Sequence, residues 1–197
     1  MTNGGSDDGS LGLLFPGQGS QAVGMGRELS DAFPRARATF DEADDVLGLD
    51  LTRIMWEGPE EELVETRNAQ PAILVHSVAT YRVLVRELGP VAAAAGHSLG
   101  EFSAHVAAGT LAFSDALRAV RRRGELMHEA GQARPGTMAA VLGLGDAEVT
   151  EACASVEEEA EGCCVAANFN SPGQVVISGD EDALVLAMER VKERGAR

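Results

Sequence analysis

The sequence has no long apolar segment. None of its hydrophobic runs approaches the roughly 20 residues that a membrane-spanning helix needs,. Residues 1–10 show no basic start followed by an apolar stretch, so we expect no secretory signal there and interpret them as a disordered tail,. These absences predict a cytoplasmic protein that does not act at a membrane.

Cysteine is scarce as well. The chain has three cysteines, and two of them are adjacent, at Cys163 and Cys164. They form neither a C-x-x-C metal pattern nor an even set for disulfide bonds. We therefore expect reduced, structural thiols and no metal site.

Basic residues are also few compared with acidic ones, 16 against 31. The formal net charge is −15, and Lys192 is the only lysine among the 16 basic residues. Such a chain repels the phosphates of DNA and RNA, which excludes nucleic-acid binding as its function. Adaptation of the acidic surface to high salt is an alternative that the composition leaves open.

The sequence does contain a G-x-S-x-G pattern at 96–100, with Ser98 at its centre. This pattern is typical of a nucleophile elbow, a sharp turn between a strand and a helix that exposes the serine. The apolar run 91–95 predicts a buried strand before it, and the apolar spacing after it predicts a helix that ends at Gly109. The two glycines would let the turn close, and the start of the helix would direct N–H groups at an oxyanion. An ordinary glycine-flanked turn is the alternative to a catalytic Ser98.

Hydrophobic periodicity predicts the remaining elements. In the first part of the chain we expect a strand at 11–15, a loop at 16–21, a helix at 34–47, a helix from Pro71 to about 88, and a helix from the cap Ser114 to about 130, stopped by Gly131. From residue 137 the patterns predict a strand at 138–144, a helix at 146–161, strands at 163–169 and 174–178, and a helix at 180–194. This β-α-β-β-α order is one strand short of the split βαβ unit.

The loop after the first strand has two interpretations. Its spacing, Gly17-x-Gly19-x-x-Ala22, imitates a dinucleotide fingerprint, but no strand ending in an acidic residue follows at the required distance,. A loop that offers backbone N–H groups to another anion fits equally well.

Arg123 lies at the edge of the apolar face of the helix at 114–130. No acidic residue stands three or four positions away from it. Its guanidinium therefore needs an anion from elsewhere, or its stem packs while its head reaches water. Arg122 is expected to point to solvent. The buried face of this helix is expected to consist of Leu117, Val120, Gly124 and Met127.

Five short motifs resemble those of the malonyl-CoA:acyl-carrier-protein transacylases of fatty acid synthesis, a family related to the acyltransferase domains of polyketide synthases. They lie at 14–21, 70–72, 96–101, 123–124 and 168–174. The resemblance extends from about residue 13 to 197. It implies an α/β fold, with an incomplete α/β-hydrolase-like large subdomain at 11–131 and an inserted ferredoxin-like α+β small subdomain at 132–197 that lacks its last strand.

The resemblance also implies residue roles. Ser98 would attack the thioester of malonyl-CoA, and the backbone N–H groups of Gln18 and Leu99 would hold the oxyanion. Arg123 would bind the malonyl carboxylate, and Leu99 after the serine favours malonyl over methylmalonyl. No cofactor is implied beyond malonyl-CoA as substrate and the phosphopantetheine of acyl carrier protein. The substrate-binding residues would be Arg123, Gln18, His97, Met127 and Asn168.

The chain departs from the family pattern at the general base. In relatives this base is a histidine beyond the fourth strand of the small subdomain. His97 is directed away from Ser98 by the elbow, and His105 lies two helical turns further on, so neither is expected to replace it. His76, His105 and His128 are interpreted as surface or helix-flank residues. We expect the chain to be inactive alone, and to aggregate unless a complementary C-terminal polypeptide joins it.

Three functions follow from this. The leading one is transfer of a malonyl group from malonyl-CoA to acyl carrier protein through a malonyl-serine. The alternatives are a serine hydrolase or thioesterase, and a non-catalytic truncated remnant that binds acyl-CoA or carrier protein. Carrier proteins of this pathway are acidic, so docking is expected at a basic patch formed by Arg190, Lys192, Arg194 and Arg197.

Overall fold

The computed structural model describes residues 11–156, 159–160 and 162–197, so the tail predicted at 1–10 lies outside the described residues. The chain is mixed α/β, as predicted, and it divides into two compact units between His128 and Glu129. The sequence had suggested a division after residue 131, within the same helix. In the described ranges no helix is both long and apolar enough to cross a membrane.

The first unit combines two strands with a set of helices. β1 and β2 are parallel, with Leu11 opposite Val91 and Phe15 opposite Gly96. The strands predicted before the glycine-rich loop and before Ser98 are therefore confirmed. In chain order the elements are β1 (Leu11–Phe15), α1 (Arg27–Ala32), α2 (Pro34–Leu47), α3 (Leu51–Glu57), α4 (Glu60–Val64), α5 (Thr66–Leu84), β2 (Val91–Gly96), α6 (Gly100–Ala107) and α7 (Phe113–Ala133), which continues into the second unit.

The hydrophobic core of the first unit lies among its helices. Phe40 of α2, Met55 of α3, Leu74 of α5 and Leu117 of α7 are fully buried. The predicted stripe of α2 supplies part of this core, and the helix ends where predicted, at Gly48, whose φ of 63° is in the left-handed region,.

β2 forms as predicted, but the expectation that it is buried was wrong. All its residues are exposed or half-buried, and Leu14 of β1 is 85% exposed. Among the described residues β1 is the one strand paired with β2, while α6 packs against the pair. A two-stranded sheet has two edges, and α6 is too short to cover a whole face.

Pro71 does not begin α5, contrary to the prediction. The helix begins at Thr66, and Pro71 is buried inside it. Proline has no N–H to donate to the carbonyl four residues earlier, which is that of Arg67. Arg121 of α7 donates from Nη1 to this carbonyl over 3.0 Å and to Asn68 Oδ1 over 2.8 Å. The guanidinium replaces the missing hydrogen bond, so the helix continues through the proline.

α7 is longer at both ends than predicted. It starts at Phe113, because two N–H groups of its first turn donate to the carbonyl of Ala112, which puts the predicted cap Ser114 inside the helix. Gly131 does not stop the helix, since it is not among the glycines with positive φ. Arg122 is exposed, as predicted, with 59% of its side chain accessible.

The second unit confirms the β-α-β-β-α order. β5 lies between β3 and β4 and pairs antiparallel with both. α8 is described as Asp146–Val156, and residues 157, 158 and 161 of the predicted helix lie outside the described residues. Beside β3, Arg197 and Leu142 exchange two backbone hydrogen bonds of 2.9 and 2.8 Å. The elements are β3 (Thr137–Leu142), α8 (Asp146–Val156), β4 (Cys164–Ser171), β5 (Gln174–Gly179) and α9 (Glu181–Glu193).

Candidate active site

Ser98 lies at the turn between β2 and α6. Its φ of 55° makes it the one non-glycine residue with a positive φ in the described ranges. This left-handed conformation is strained for a residue with a Cβ, and it turns the serine out of the path of the strand. Ser98 is exposed, and α6 begins two residues later, at Gly100. The local geometry is that of a nucleophile elbow.

Gly96 and Gly100 allow this turn to close. A Cβ on Gly96 would lie 2.0 Å from the carbonyl carbon and oxygen of Gly100. A Cβ on Gly100 would lie 2.5 Å from the carbonyl oxygen of Phe15 and 2.8 Å from that of Pro16. These neighbours are backbone atoms, which cannot rotate away as a side chain can. Both positions therefore require glycine, as the sequence suggested.

The glycine-rich loop after β1 lies against the elbow. The N–H of His97 donates to the carbonyl of Phe15 over 3.1 Å. A Cβ on Gly17 would come within 2.6 Å of His97 Nδ1, so the imidazole lies directly on the loop backbone. Gln18 is the next residue of the loop after Gly17. Within the described ranges the N–H groups of Gln18 and Leu99 donate no hydrogen bond, so both are available to an acceptor.

Arg123 reaches the serine from α7. Its Nη2 donates to Ser98 Oγ over 2.8 Å, and its Nη1 donates to Gln70 Oε1. The neighbouring Arg121 and Arg122 pair with Glu125, but among the described residues no carboxylate lies within ion-pair distance of Arg123. The half-buried guanidinium thus has neutral partners and carries a charge that an anion could neutralise.

Two residues without a predicted role complete the network. Gln70 is fully buried and donates from Nε2 to Thr66 Oγ1 over 2.7 Å and to Met127 Sδ over 3.2 Å. Thr66 Oγ1 in turn donates to Gln18 Oε1 over 3.0 Å. A glutamine on the buried face of a helix signals that partners are needed, but the motif at 70–72 indicated no function for it. Thr66 gave no signal in the sequence.

The other predicted site residues have mixed placements. His97 is exposed above Gly17, and Leu99 is 1% exposed, so its side chain belongs to the core and its backbone is the part next to Ser98. Met127 contacts Gln70, but it is 47% exposed, so the expectation of a buried residue was wrong. Asn168 lies in β4 opposite Val176, in the second unit. Its role in substrate binding stays a prediction.

The remaining histidines have other surroundings. His76 is half-buried beside a groove of about 340 Å³ that is lined mainly by apolar residues such as Leu13 and Leu84. Burial lowers the pKa of His76 below its usual value of 6.5,. His105 Nδ1 lies 2.9 Å from Thr110 Oγ1, and His128 is half-buried on α7.

The thiols and the basic patch lie in the second unit. Cys153 and Cys164 are buried and reduced, with their sulfur atoms 3.8 Å apart, whereas Cys163 is exposed. In the predicted basic patch, Arg190 pairs with Glu159 and Arg194 pairs with Glu151. Acidic partners therefore offset part of the charge of this patch. Among the described side chains no group of three His, Cys, Asp or Glu could hold a metal ion.

The chain falls in the class of α/β proteins with a nucleophile elbow. The features that define this class here are the parallel strands, the strained serine between a strand and a helix, and the guanidinium that donates to its hydroxyl. The model of a family described as the acyl transferase domain matches residues 13–197. The chain therefore belongs to the acyl transferase domain family.

Individual relatives agree with this assignment. The chain is 49% identical over 187 residues to a malonyl CoA-acyl carrier protein transacylase of Escherichia coli K12, covering 94% of this chain and 60% of that protein. The Bacillus subtilis (strain 168) transacylase is 48% identical, with 95% and 59% covered. A crystal structure of FabD from Acinetobacter baumannii superposes with a TM-score of 0.87 at 46% identity, over 94% of this chain and 59% of that one. The chain thus spans about 60% of the length of the curated relatives it matches.

Proposed function

We propose that this chain carries the nucleophile, the oxyanion donors and the carboxylate-binding arginine of an enzyme that transfers malonyl groups from malonyl-CoA to acyl carrier protein. The observation that carries the proposal is the hydrogen bond from Arg123 Nη2 to Ser98 Oγ. It puts an uncompensated positive charge beside the nucleophile, where an acyl group ending in a carboxylate would need it. A neutral acyl group would gain nothing from this charge.

The reaction would proceed in two displacements at Ser98. Its Oγ attacks the thioester carbonyl of malonyl-CoA while its proton passes to a base, and the N–H groups of Gln18 and Leu99 hold the resulting oxyanion. The C–S bond then breaks, the CoA thiolate leaves and a malonyl ester remains on the serine. The phosphopantetheine thiol of acyl carrier protein attacks this ester by the same steps and regenerates the hydroxyl.

The resemblance implies a histidine as the base for these steps. We assign none to that role among the described residues, because the imidazole of His97 lies on Gly17 and that of His105 lies next to Thr110. Activity is therefore tested both on the chain alone and on the chain with added sequence from a relative.

We also propose a finer fold assignment for each of the two units. The parallel pair of β1 and β2, followed by the elbow and α6, supports an α/β-hydrolase-like large subdomain,. The β-α-β-β-α order with the strand order β3-β5-β4 supports a ferredoxin-like small subdomain,. We infer the partners from relatives. Several are named transacylases of malonyl-CoA and acyl carrier protein, and one solved relative, 44% identical with a TM-score of 0.87, is described as a malonyl-transacylase in complex with its acyl-carrier protein of a type II polyketide synthase.

The test measures acyl transfer by intact mass. The chain is incubated with malonyl-CoA, alone and with a polypeptide covering the part of the E. coli transacylase that the match does not include. With the added polypeptide we expect one malonyl group on the wild type and none on Ser98→Ala. Adding holo acyl carrier protein should move the malonyl group to the carrier. Arg123→Ala should abolish the preference for malonyl-CoA over acetyl-CoA.

Two other results would contradict the proposal. Release of free malonate with no malonyl group on the carrier would indicate a serine hydrolase, and in that case Arg123→Ala should leave the turnover of simple esters nearly intact. Absence of a malonyl adduct from both preparations would indicate a non-catalytic protein.

A further inference from the structure

The side-chain amide of Gln70 can adopt one orientation in its surroundings. Its Nε2 faces two acceptors, Thr66 Oγ1 at 2.7 Å and Met127 Sδ at 3.2 Å, and its Oε1 faces the donor Nη1 of Arg123. Turning the amide over would place Nε2 against the guanidinium, donor against donor. Because Gln70 is fully buried, water cannot compensate for such a mismatch,.

Thr66 contacts the nitrogen end of that amide, and the oxygen end faces Arg123. The hydroxyl of Thr66 accepts from Gln70 Nε2 and uses its single proton to donate to Gln18 Oε1 over 3.0 Å,. The hydrogen bonds therefore all point the same way along the chain of side chains: Arg123 donates to Gln70, Gln70 donates to Thr66, and Thr66 donates to Gln18. The sulfur of Met127 is the other acceptor for Gln70, and thioethers are weak acceptors.

The backbone of Thr66 is itself held in place. A Cβ on Gly124 of α7 would lie 2.7 Å from the carbonyl oxygen of Thr66 and 2.8 Å from Cα of Arg67, so the two helices touch through backbone atoms there. Arg123, next to Gly124 on α7, is thus held at a fixed distance from the first turn of α5. Thr66 can position Arg123 through Gln70 because the backbones carrying them are in contact.

We propose that Thr66 is a positioning residue which, through Gln70, fixes the guanidinium of Arg123 beside Ser98 and so determines the preference for acyl groups that carry a carboxylate. This inference rests on the proposed function for the acyl group. The positioning of the guanidinium is a separate claim about the geometry and can be measured without any reaction.

Three variants separate positioning from a general structural role. Thr66→Val keeps the shape of the side chain and removes the hydroxyl, and Thr66→Ser keeps the hydroxyl. Thr80→Val is the matched control, since Thr80 lies on the same helix and donates its hydroxyl to the carbonyl of His76 over 2.9 Å, outside the network. A cooperative thermal transition in each of the three variants would establish that each is folded.

The first measurement is the rate at which Ser98 is acylated by malonyl-CoA and by acetyl-CoA, followed by intact mass. Thr66→Val should reduce the ratio of the malonyl to the acetyl rate by about 10-fold, the effect of losing one hydrogen bond next to a charged group. The loss should be larger for malonyl-CoA than for acetyl-CoA, because an acetyl group has no carboxylate for Arg123 to bind. Thr66→Ser should restore the ratio, and Thr80→Val should leave it at the wild-type value.

The second measurement records the guanidinium of Arg123 by ¹⁵N NMR, assigned by its disappearance in Arg123→Ala. Two anchored terminal nitrogens give separate signals because rotation about the Cζ–Nε bond is hindered. Thr66→Val should merge these signals, whereas Thr66→Ser and Thr80→Val should not. Separate signals in Thr66→Val, or an unchanged rate ratio, would overturn the inference.

A failure of the proposed function would be distinguishable. If neither thioester acylates the wild type, with or without the added E. coli polypeptide, the proposed function fails. The ¹⁵N spectrum of the guanidinium then tests the positioning of Arg123 by itself. Merged signals in Thr66→Val support positioning by Thr66, and separate signals refute it.

Discussion

Ser98 Oγ accepts a hydrogen bond from Arg123 Nη2 over 2.8 Å, which joins the elbow after β2 to the middle of α7. A guanidinium has five N–H donors, and the bonds to Ser98 and Gln70 use one on each terminal nitrogen,. The Nε–H and a second N–H on each terminal nitrogen remain. Arg123 therefore keeps three N–H donors that could bind an anion while it keeps its contact with the serine.

Gly124→Ala should destabilise the first unit, because the new methyl group would lie 2.7 Å from the carbonyl oxygen of Thr66. Overpacking of this kind costs about 1–3 kcal/mol. Gly131→Ala, on the same helix, is the control. A Cβ there meets nothing within 4 Å, and alanine favours helix over glycine by about 1 kcal/mol,. Urea unfolding of both variants checks the prediction, and equal midpoints would contradict it.

Arg121→Ala should lower the free energy of unfolding by about 1–3 kcal/mol, the cost of leaving a buried polar group without its partner. The change removes the donor to the carbonyl that Pro71 cannot serve and to Asn68, which is buried. Arg122→Ala is the matched control, since 59% of its side chain is exposed. Chemical denaturation measures both changes. A loss at Arg122 as large as at Arg121 would refute the role of Arg121 in α5.

The stability of the first unit should fall as the pH drops through about 6.5 because of His76. Burial lowers the pKa of His76 in the folded chain below its usual value of 6.5, so the unfolded chain binds more protons in this range and gains stability on acidification,. His76→Gln should flatten the profile between about pH 5 and pH 8. Denaturation at several pH values tests this. Parallel profiles of wild type and His76→Gln would contradict it.

Thiol labelling should distinguish the three cysteines. Cys163 is exposed and should react with a water-soluble disulfide reagent at once, whereas Cys153 and Cys164 are 2% and 1% exposed and should react only when the chain opens,. Absorbance of the released thiolate should thus show one fast equivalent in the native chain and three in denaturant. Cys163→Ser should remove the fast phase. A fast phase that survives this substitution would mean that the buried pair is accessible.

Local patterns predicted those parts of the fold that neighbouring residues determine. The apolar stripe of α2, its end at Gly48 and the β-α-β-β-α order of the second unit depend on residues a few positions apart,. The turn at Ser98 was predictable for the same reason at Gly96, because a Cβ there would meet the backbone of Gly100 within the same pentapeptide.

The sequence could not predict features that depend on distant partners. A proline usually ends a helix, and α5 continues through Pro71 because Arg121 supplies a donor from another helix,. Likewise, the hydrogen bond from Thr66 to Gln18 forms because the first turn of α5 contacts the loop after β1. No local sequence pattern predicts that contact. The chemistry of Arg123 was visible as an unmatched charge, but its neutral partners were not.

The pairing of β1 with β2 also affects the order of events during folding. The strand that leads into the elbow is aligned by residues 11–15, and five helices separate the two strands in the chain. Contacts between residues so far apart in sequence form slowly, because the loop between them loses its freedom before the contact gives any stabilisation. The buried core residues of the first unit lie on its helices and not on these strands. We therefore expect Ser98 to acquire its strained backbone in one of the final steps, after most of the chain around it is already ordered.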